Sequence, residues 1–369
     1  MFCATASADI IYTTAEGGLG VIKVGSVTSA SLTGITYNAT ANSVAAPYWE
    51  NNTSNGEGNS KIILITPKSS DDNTISGDTA LIFSSASSLT SPLNDANDPA
   101  VLKGTYGTPV ICGTNSGGSL YLATGASVRE YKTSNFSLYN TYTHPSYDVS
   151  PNPEIKSILK TDSNIYLLAA RNSAVSNDLI LVMNGLLTLN TENASSWEIP
   201  TKTSKTAALI SDSRIAVGCD EGVWNAKSSN SVKLVSTDYP VVSICQDSSS
   251  GFYYIVQSDN NGVKTNSLRH YQNTTTDTEL LNNIQGDGAQ IVRDNAYNVL
   301  AVLIGNTIKL YNIAEDTEIT ISGLTGTPIS IAPISTSGNS ADSSSGCMIG
   351  STGLVFAVAL FAALKQKRK

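Results

Sequence analysis

The chain has 369 residues, of which only 14% are charged, where about a quarter is usual for a globular protein. Four of its 22 Lys and Arg residues stand in the last five positions, so everything before them carries 18 basic against 30 acidic residues, a formal charge of −12. That balance excludes nucleic acid and anionic membrane surfaces as partners of the main body, since both need concentrated Lys and Arg.

Residues 1–8 end in Ala6-Ser7-Ala8 before Asp9, an A-x-A pattern of the kind cut in exported proteins. The positive n-region and long apolar core of a signal peptide do not precede it. This points to a gene start upstream of Met1, a remnant leader over 1–8 and cleavage between Ala8 and Asp9; the alternative is an octapeptide that only resembles a cleavage region. The mature chain then opens with Asp9 to Thr14, which has the alternation and β-branched content of a strand.

Ser, Thr, Asn and Gly fill the polar positions of the next 320 or so residues, and Val, Ile and Tyr the apolar ones, a composition that favours short strands and turns. A second unit is irregular, with strands at Lys61 to Thr66 and Thr79 to Ser84 around a polar insertion. Strand pairs follow at Pro109 to Thr114 with Leu120 to Thr124, Ile155 to Lys160 with Ile165 to Ala170, and Thr206 to Ser211 with Arg214 to Cys219. The sixth unit is the clearest: Pro240 to Asp247, Phe252 to Gln257, Ser267 to Gln272 after Asn260-Asn-Gly262, and Thr278 to Leu281. A seventh repeats that order with Ala289 to Arg293, Asn298 to Ile304, Thr307 to Asn312 and Glu318 to Ile321.

The repeat is also visible residue by residue. Ser127-Val-Arg-Glu-Tyr131, Ser267-Leu-Arg-His-Tyr271 and Thr307-Ile-Lys-Leu-Tyr311 share the order small polar, aliphatic, basic, any, Tyr, separated by 140 and then 40 residues. A period near 45 residues fits both gaps and is the size of a four-stranded propeller blade. Thr327 to Ile334 is an inner strand with no blade after it, while Asp9 to Thr14 is a second strand with no inner strand before it. Pairing the two completes one blade from both termini and removes the open edge. The expected fold is an all-β β-propeller over residues 9–334, with seven four-stranded blades closed by the N- and C-terminal strands; a six- or eight-bladed ring could absorb the same residues.

Residues 335–346 are a Ser/Gly-rich linker. Met348 to Leu364 is a 17-residue run without charge, at the short limit for a membrane-spanning helix, and Lys365 to Lys369 is a basic end that stays on the cytoplasmic side. The expectation is a C-terminal hydrophobic helix, an exported main body and a protein at the cell envelope or surface.

Chemistry is sparse. His144 and His270 are the only histidines; they fall in different units, and the position of His270 holds Glu130 and Leu310 in the equivalent strands, which reads as solvent-facing or structural. No H-x-x-x-H, HExxH, CxxC or Gly-rich phosphate loop occurs, and no catalytic residue is nominated. Cys112, Cys219 and Cys245 read as small buried hydrophobes, with a Cys219–Cys245 disulfide as an alternative in an oxidising compartment. Asp71-Asp72-Asn73, Asp220-Glu221-Gly222 and Asp259-Asn-Asn-Gly262 could offer oxygen ligands to calcium, but hairpin turns use the same residues without metal. No cofactor is expected beyond that calcium alternative, and the metal ligands, if any, are unknown. Trp49, Trp197 and Trp224 do not recur at blade spacing.

Residues 343–369, from Ser343-Ser-Ser-Gly-Cys347 through the apolar run to the basic end, resemble bacterial C-terminal sorting signals of the cysteine-containing class typified by the Synergistetes and myxobacterial signals. The resemblance implies a transient anchor over 347–369, processing or modification at Gly346 and Cys347, and a sorting machinery as partner. A plain single-span anchor with an idle cysteine obeys the same physics, while a eukaryotic glycolipid-anchor signal fits less well because it normally ends in apolar residues. Leu120-Tyr-Leu-Ala-Thr-Gly125 followed by Val128-Arg-Glu-Tyr131 looks like the second and third strands of NHL, YVTN and WD40-like propellers, without the Trp-Asp signature of the last. Such propellers include scaffolds, binders and enzymes alike. The leading expectation is a non-enzymatic binding or adhesion module for a protein or glycan at one propeller face. The alternatives are a hydrolase or lactonase with a channel calcium, and a structural envelope component.

Overall fold

The computed structural model describes residues 119–334 with short interruptions and, before them, the segments 9–15, 18–23, 26–31, 46–50, 61–66, 79–83, 100–101 and 110–116. Ala8, Gly346, Cys347, the linker, the hydrophobic tail, His144 and Asp71-Asp72-Asn73 lie outside the described residues. The fold is an all-β β-propeller whose strands form seven four-stranded antiparallel sheets.

From hub to rim, the first blade runs Pro328–Ile334, Asp9–Thr14, Gly18–Lys23 and Ser26–Ser31, and the second Ala46–Glu50, Lys61–Thr66, Thr79–Phe83 and Ala100–Val101. The third runs Val110–Ser116, Ser119–Thr124, Ser127–Lys132 and Leu138–Thr143, and the fourth Glu154–Lys160, Asn164–Ala170, Asp178–Asn184 and Ser195–Ile199. The fifth follows with Thr206–Ser211, Arg214–Cys219, Gly222–Ala226 and Val232–Ser236. The sixth is Val241–Gln246, Phe252–Asn260, Val263–Gln272 and Thr276–Gln285, and the seventh Gln290–Asp294, Val299–Ile304, Thr307–Asn312 and Thr317–Thr320.

Burial falls from hub to rim as the alternation in the sequence requires. Second strands such as Val299–Ile304 are buried along their whole length, because both sheet faces are covered by neighbouring blades. Third strands alternate, and outer strands such as Thr317–Thr320 are exposed. The core is therefore divided into layers between blades: Tyr121 and Val128 pack on Ile158 and Leu167, Leu168 on Leu209 and Val217, Ala216 on Phe252 and Tyr254, Ile255 on Leu300 and Val302, and Ala301 and Leu303 on Tyr12 and Ile331. Each fully buried aliphatic side chain adds about 1.5–3 kcal/mol.

The shared Tyr of the repeat, Tyr131, Tyr271 and Tyr311, is buried in all three blades. The basic residue two positions earlier points outward and pairs with the outer strand, Arg269 with Asp277 at 2.9 Å and Lys309 with Glu318 at 3.2 Å. Inner strands are stitched to one another by side chains. The Ile291 amide donates to Ser243 Oγ (3.1 Å), the Ile331 amide to Gln290 Oε1 (3.1 Å), and Gln246 Nε2 to the Ile210 carbonyl (3.4 Å).

The terminal strands pair antiparallel from Asp9↔Ile334 to Thr13↔Ser330, so one blade is built from both ends of the propeller. Opposite Tyr12 in the next strand is Gly20, where a Cβ would stand 2.2 Å from the tyrosine ring; the buried ring occupies the space a side chain would need.

The sixth blade exceeds its expected length. The polar stretch Ser258 to Asn266 reads as a loop in the sequence, yet Asn260 pairs directly with Val263 across a two-residue turn, Asn261-Gly262, with φ of 56° and 85°. Both central residues of that turn need positive φ, which Asn and Gly tolerate, and the strands continue through it.

Candidate functional site

The third-strand position shared by Glu130, His270 and Leu310 faces the neighbouring blade rather than water: the three residues are 4%, 6% and 5% exposed. Solvent exposure is thus corrected and a structural placement stands, because strand alternation puts this side chain on the face opposite the outward basic residue. Two of the three positions bury a charged or titratable group, and each blade satisfies it differently.

In the sixth blade, Asp247 follows the inner strand and its amide donates to the Gly251 carbonyl, closing the turn to the second strand. Its Oδ2 lies 2.9 Å from His270 Nε2. Its Oδ1 lies 3.4 Å from Arg293 Nη1, which belongs to the inner strand of the seventh blade. Arg293 Nη2 donates to Asn298 Oδ1 at 2.7 Å, and Asn298 opens the next strand with a φ of 55°. Gln272 Nε2 is 3.2 Å from His270 Nδ1. Assigning Nε2–H to Asp247 and the Nδ1 lone pair to Gln272 satisfies both ring nitrogens of a neutral imidazole. The ring stacks on Tyr253 with centroids 4.1 Å apart.

A carboxylate against an imidazole is two thirds of a nucleophilic triad, but a triad needs the second ring nitrogen turned toward an activated nucleophile. Here that nitrogen meets an amide. The nearby thiol of Cys245 is pushed up to about 12 by burial, which outweighs the influence of Arg293, so its thiolate is scarce at neutral pH. Burial and the charge of Asp247 likewise raise the Tyr253 phenol. The group works as an ionic latch between two blades.

In the third blade the buried charge is Glu130, and hydroxyls answer it. Ser119 Oγ donates to Oε1 at 2.6 Å, Tyr121 OH to Oε1 at 3.4 Å, and Tyr142 OH to Oε2; Lys132 Nζ lies 3.5 Å away at the surface side. Burial, reinforced by the Glu130 charge, raises the Tyr121 phenol to about 12 and the Tyr142 phenol as well. Both remain protonated donors. A third buried carboxylate, Asp178, accepts from the Arg171 amide (2.8 Å) and the Ser204 amide (2.9 Å), fastening the fourth blade to the connection into the fifth.

Those sequence signals for metal and disulfide that fall on described residues have ordinary structural partners. Asp220 pairs with Lys205 at 3.0 Å and Glu221 approaches Lys233 at 3.9 Å. Asp259 Oδ1 accepts from the Gly262 amide at 2.8 Å, an Asx turn inside the hairpin. Among the described residues no group of three or more His, Cys, Asp and Glu is placed to hold a metal ion. Cys219 and Cys245 are free thiols, which corrects the disulfide alternative. Cys219 ends a second strand, at one end of the blades, and Cys245 lies near the finish of an inner strand, at the other. Cys112 lies in an inner strand opposite Ala123, whereas Cys245 lies opposite Tyr253. Among the described residues no helix is long and apolar enough to cross a membrane.

Sequence reading missed Asp247, Arg293 and Glu130 as buried partners. One signal was available: Gln246-Asp247 and Arg293-Asp294 place an Asp where successive inner strands finish, one blade apart.

No protein-family model matches the chain, and no curated protein matches it significantly in sequence. Among solved structures, a chain of the Mitotic Checkpoint Complex is similar over 84% of this chain and 92% of its own length, with a TM-score of 0.51 and 9% identity. BBS1N, crystallised in complex with ARL6DN, matches over 83% of this chain and 91% of its own, with a TM-score of 0.48 and 13% identity. Apo AztD from Citrobacter koseri matches over 89% and 98%, with a TM-score of 0.42 and 11% identity. At such identities the likeness concerns the fold alone.

Proposed function

We propose that the chain is an exported propeller of seven blades, held at the cell envelope by its C-terminal segment and acting as a non-enzymatic binding or adhesion module for a protein or glycan. The observation that carries the binding reading is the use made of the buried ionisable groups: Asp247, His270, Arg293, Glu130 and Asp178 hold blades and turns together rather than opening toward solvent. A rigid scaffold with reactive groups locked inside suits recognition through its loops. The neighbour of similar fold in the Mitotic Checkpoint Complex is itself part of a complex, which agrees with a protein partner.

The anchoring half of the reading rests on the sequence of the tail. Met348 to Leu364 serves as the transient span, Lys365 to Lys369 as its cytoplasmic stop, Gly346 and Cys347 as the processing point, and Ala8 with Asp9 as the junction cut on export.

Intact-mass measurement on protein from fractionated native cells, beside a Cys347→Ala variant, tests the address. The expected result is a chain ending near Gly346 or Cys347 in the wild type and an unprocessed chain in the variant. A Lys369 terminus in both overturns the processed signal. For the binding half, turnover of lactones or esters by the purified chain, dependent on calcium and abolished by a chelator, would overturn a non-enzymatic role.

A further inference from the structure

The propeller starts and finishes at the same end. Asp9 pairs with Ile334 where the inner strand of the first blade terminates, and inner strands terminate at the end that carries the turn from Asp247 to Gly251 in the sixth blade. The turn Ile313 to Asp316, between third and outer strands of the seventh blade, lies at that end too, since Asn312 pairs with Val299 at the start of the second strand. The opposite end carries the second-to-third turns and the connections between blades, such as Thr237 to Pro240.

We propose that the end bearing Asp9 and Ile334 faces the membrane and that the opposite end is presented outward, with the hairpin of the sixth blade as its outermost point among the described residues. This rests on the C-terminal anchor proposed above. A flexible Ser/Gly-rich tether of 12 residues, the length of 335–346, has a root-mean-square reach of about 20 Å at 5–6 Å per square root of residue number. The seven-residue strand Pro328–Ile334 spans about 23 Å at 3.3 Å per residue. To turn the propeller over, the tether would have to cover that height and the radius as well.

The outward hairpin is stiff. Its extra pairs run from Gln257↔Asn266 to Asn260↔Val263, a rise of about 10–13 Å. Buried Asn266 accepts from Gln257 Nε2 (2.9 Å) and donates to the Ile284 and Gly286 carbonyls (3.0 and 2.8 Å), tying the base of the hairpin to the outer strand and the turn after it. Lys264 Nζ braces it on Asp287 at 2.7 Å. At its tip Val263 is 51% exposed, and Tyr239 beside its base is 44% exposed. Among the described residues this braced projection, with Val263 exposed beside its Asn261-Gly262 turn, reaches farthest at that end.

The test is energy transfer to a lipid-borne acceptor from the full chain reconstituted in vesicles by its own tail. A donor dye is attached to an encoded azide side chain at Val263 in one variant and at Glu315 in another, with Asn261 and Ala314 as a second pair; all four positions are exposed, and melting curves confirm the fold. The expected result is transfer at least about twofold higher from 315 and 314 than from 263 and 261, given a height difference of about 35 Å. Equal transfer, or the reverse order, with protein floating with the vesicles overturns the orientation alone. No transfer at any position, with protein left behind by the vesicles, overturns the anchor and the orientation with it.

Discussion

The third and sixth blades place a charged or titratable group at the same point of the same strand, and they stabilise it by different means. Glu130 is served from within its blade, by the hydroxyls of Ser119 and Tyr121 on the second strand and of Tyr142 on the outer strand. Asp247, which holds His270, reaches outside its blade to Arg293 of the seventh. The first arrangement stiffens one sheet; the second couples two. A repeat can thus keep its backbone register while the side chains at one position decide whether neighbouring units are merely packed or are bonded.

The largest expected effect is that of Asp247→Ala. It leaves Arg293 and His270 buried without their carboxylate, and the expected loss is about 3–5 kcal/mol, as for one partner removed from a buried ion pair, read by urea denaturation. If the latch joins blades, the loss appears in the unfolding of both the sixth and seventh blades by hydrogen exchange; a loss confined to the sixth would contradict it. Glu130→Gln is milder, at about 1–3 kcal/mol, because one side of the amide presents donors to hydroxyls that had been donating. Its exchange signature should stay within the third blade.

The smallest effect separates the clusters by pH. The Tyr121 phenol is raised in the fold to about 12 from an ordinary 10, so its neutral form contributes stability that is complete below pH 10 and is lost as pH climbs through about 12. Tyr121→Phe should therefore flatten the decline of stability between pH 10 and 12, while leaving the effect of Asp247→Ala at neutral pH unchanged. An unaltered alkaline slope in the variant would remove Tyr121 from the third-blade cluster.

Much of the architecture was legible because it is written locally. The Ser/Thr-aliphatic-basic-x-Tyr pattern marks third strands, since each of its positions meets a fixed surrounding: the Tyr is buried, and the basic residue pairs with the outer strand, as Arg269 and Lys309 do. The unpaired strand at each terminus announced the first blade. The candidate site was largely illegible, because its members come from distant segments. Asp247, His270 and Arg293 lie on an inner-strand end, a third strand and the next blade, and no short motif joins them. The sixth-blade hairpin was hidden for another reason: apart from Val263, Ser258 to Thr265 is polar on both faces because most of it lies beyond the buried core, so alternation gives no sign of a strand. Placement in adjacent blades made a Cys219–Cys245 disulfide an alternative for an oxidising compartment, although the strand directions hold the two thiols at opposite ends.

The pairing of Asp9–Thr14 with Pro328–Ile334 also sets an order of events in biogenesis. A contact spanning nearly the whole chain carries a large loop-closure cost and slows folding. The first blade to be synthesised or translocated is the last to be completed, so until residue 334 arrives the nascent propeller exposes the edge of Asp9–Thr14 to any strand it meets. Protection of that edge until a single final closure is the route this topology favours, and removing either terminal strand should leave an open, association-prone arc rather than a slightly smaller propeller.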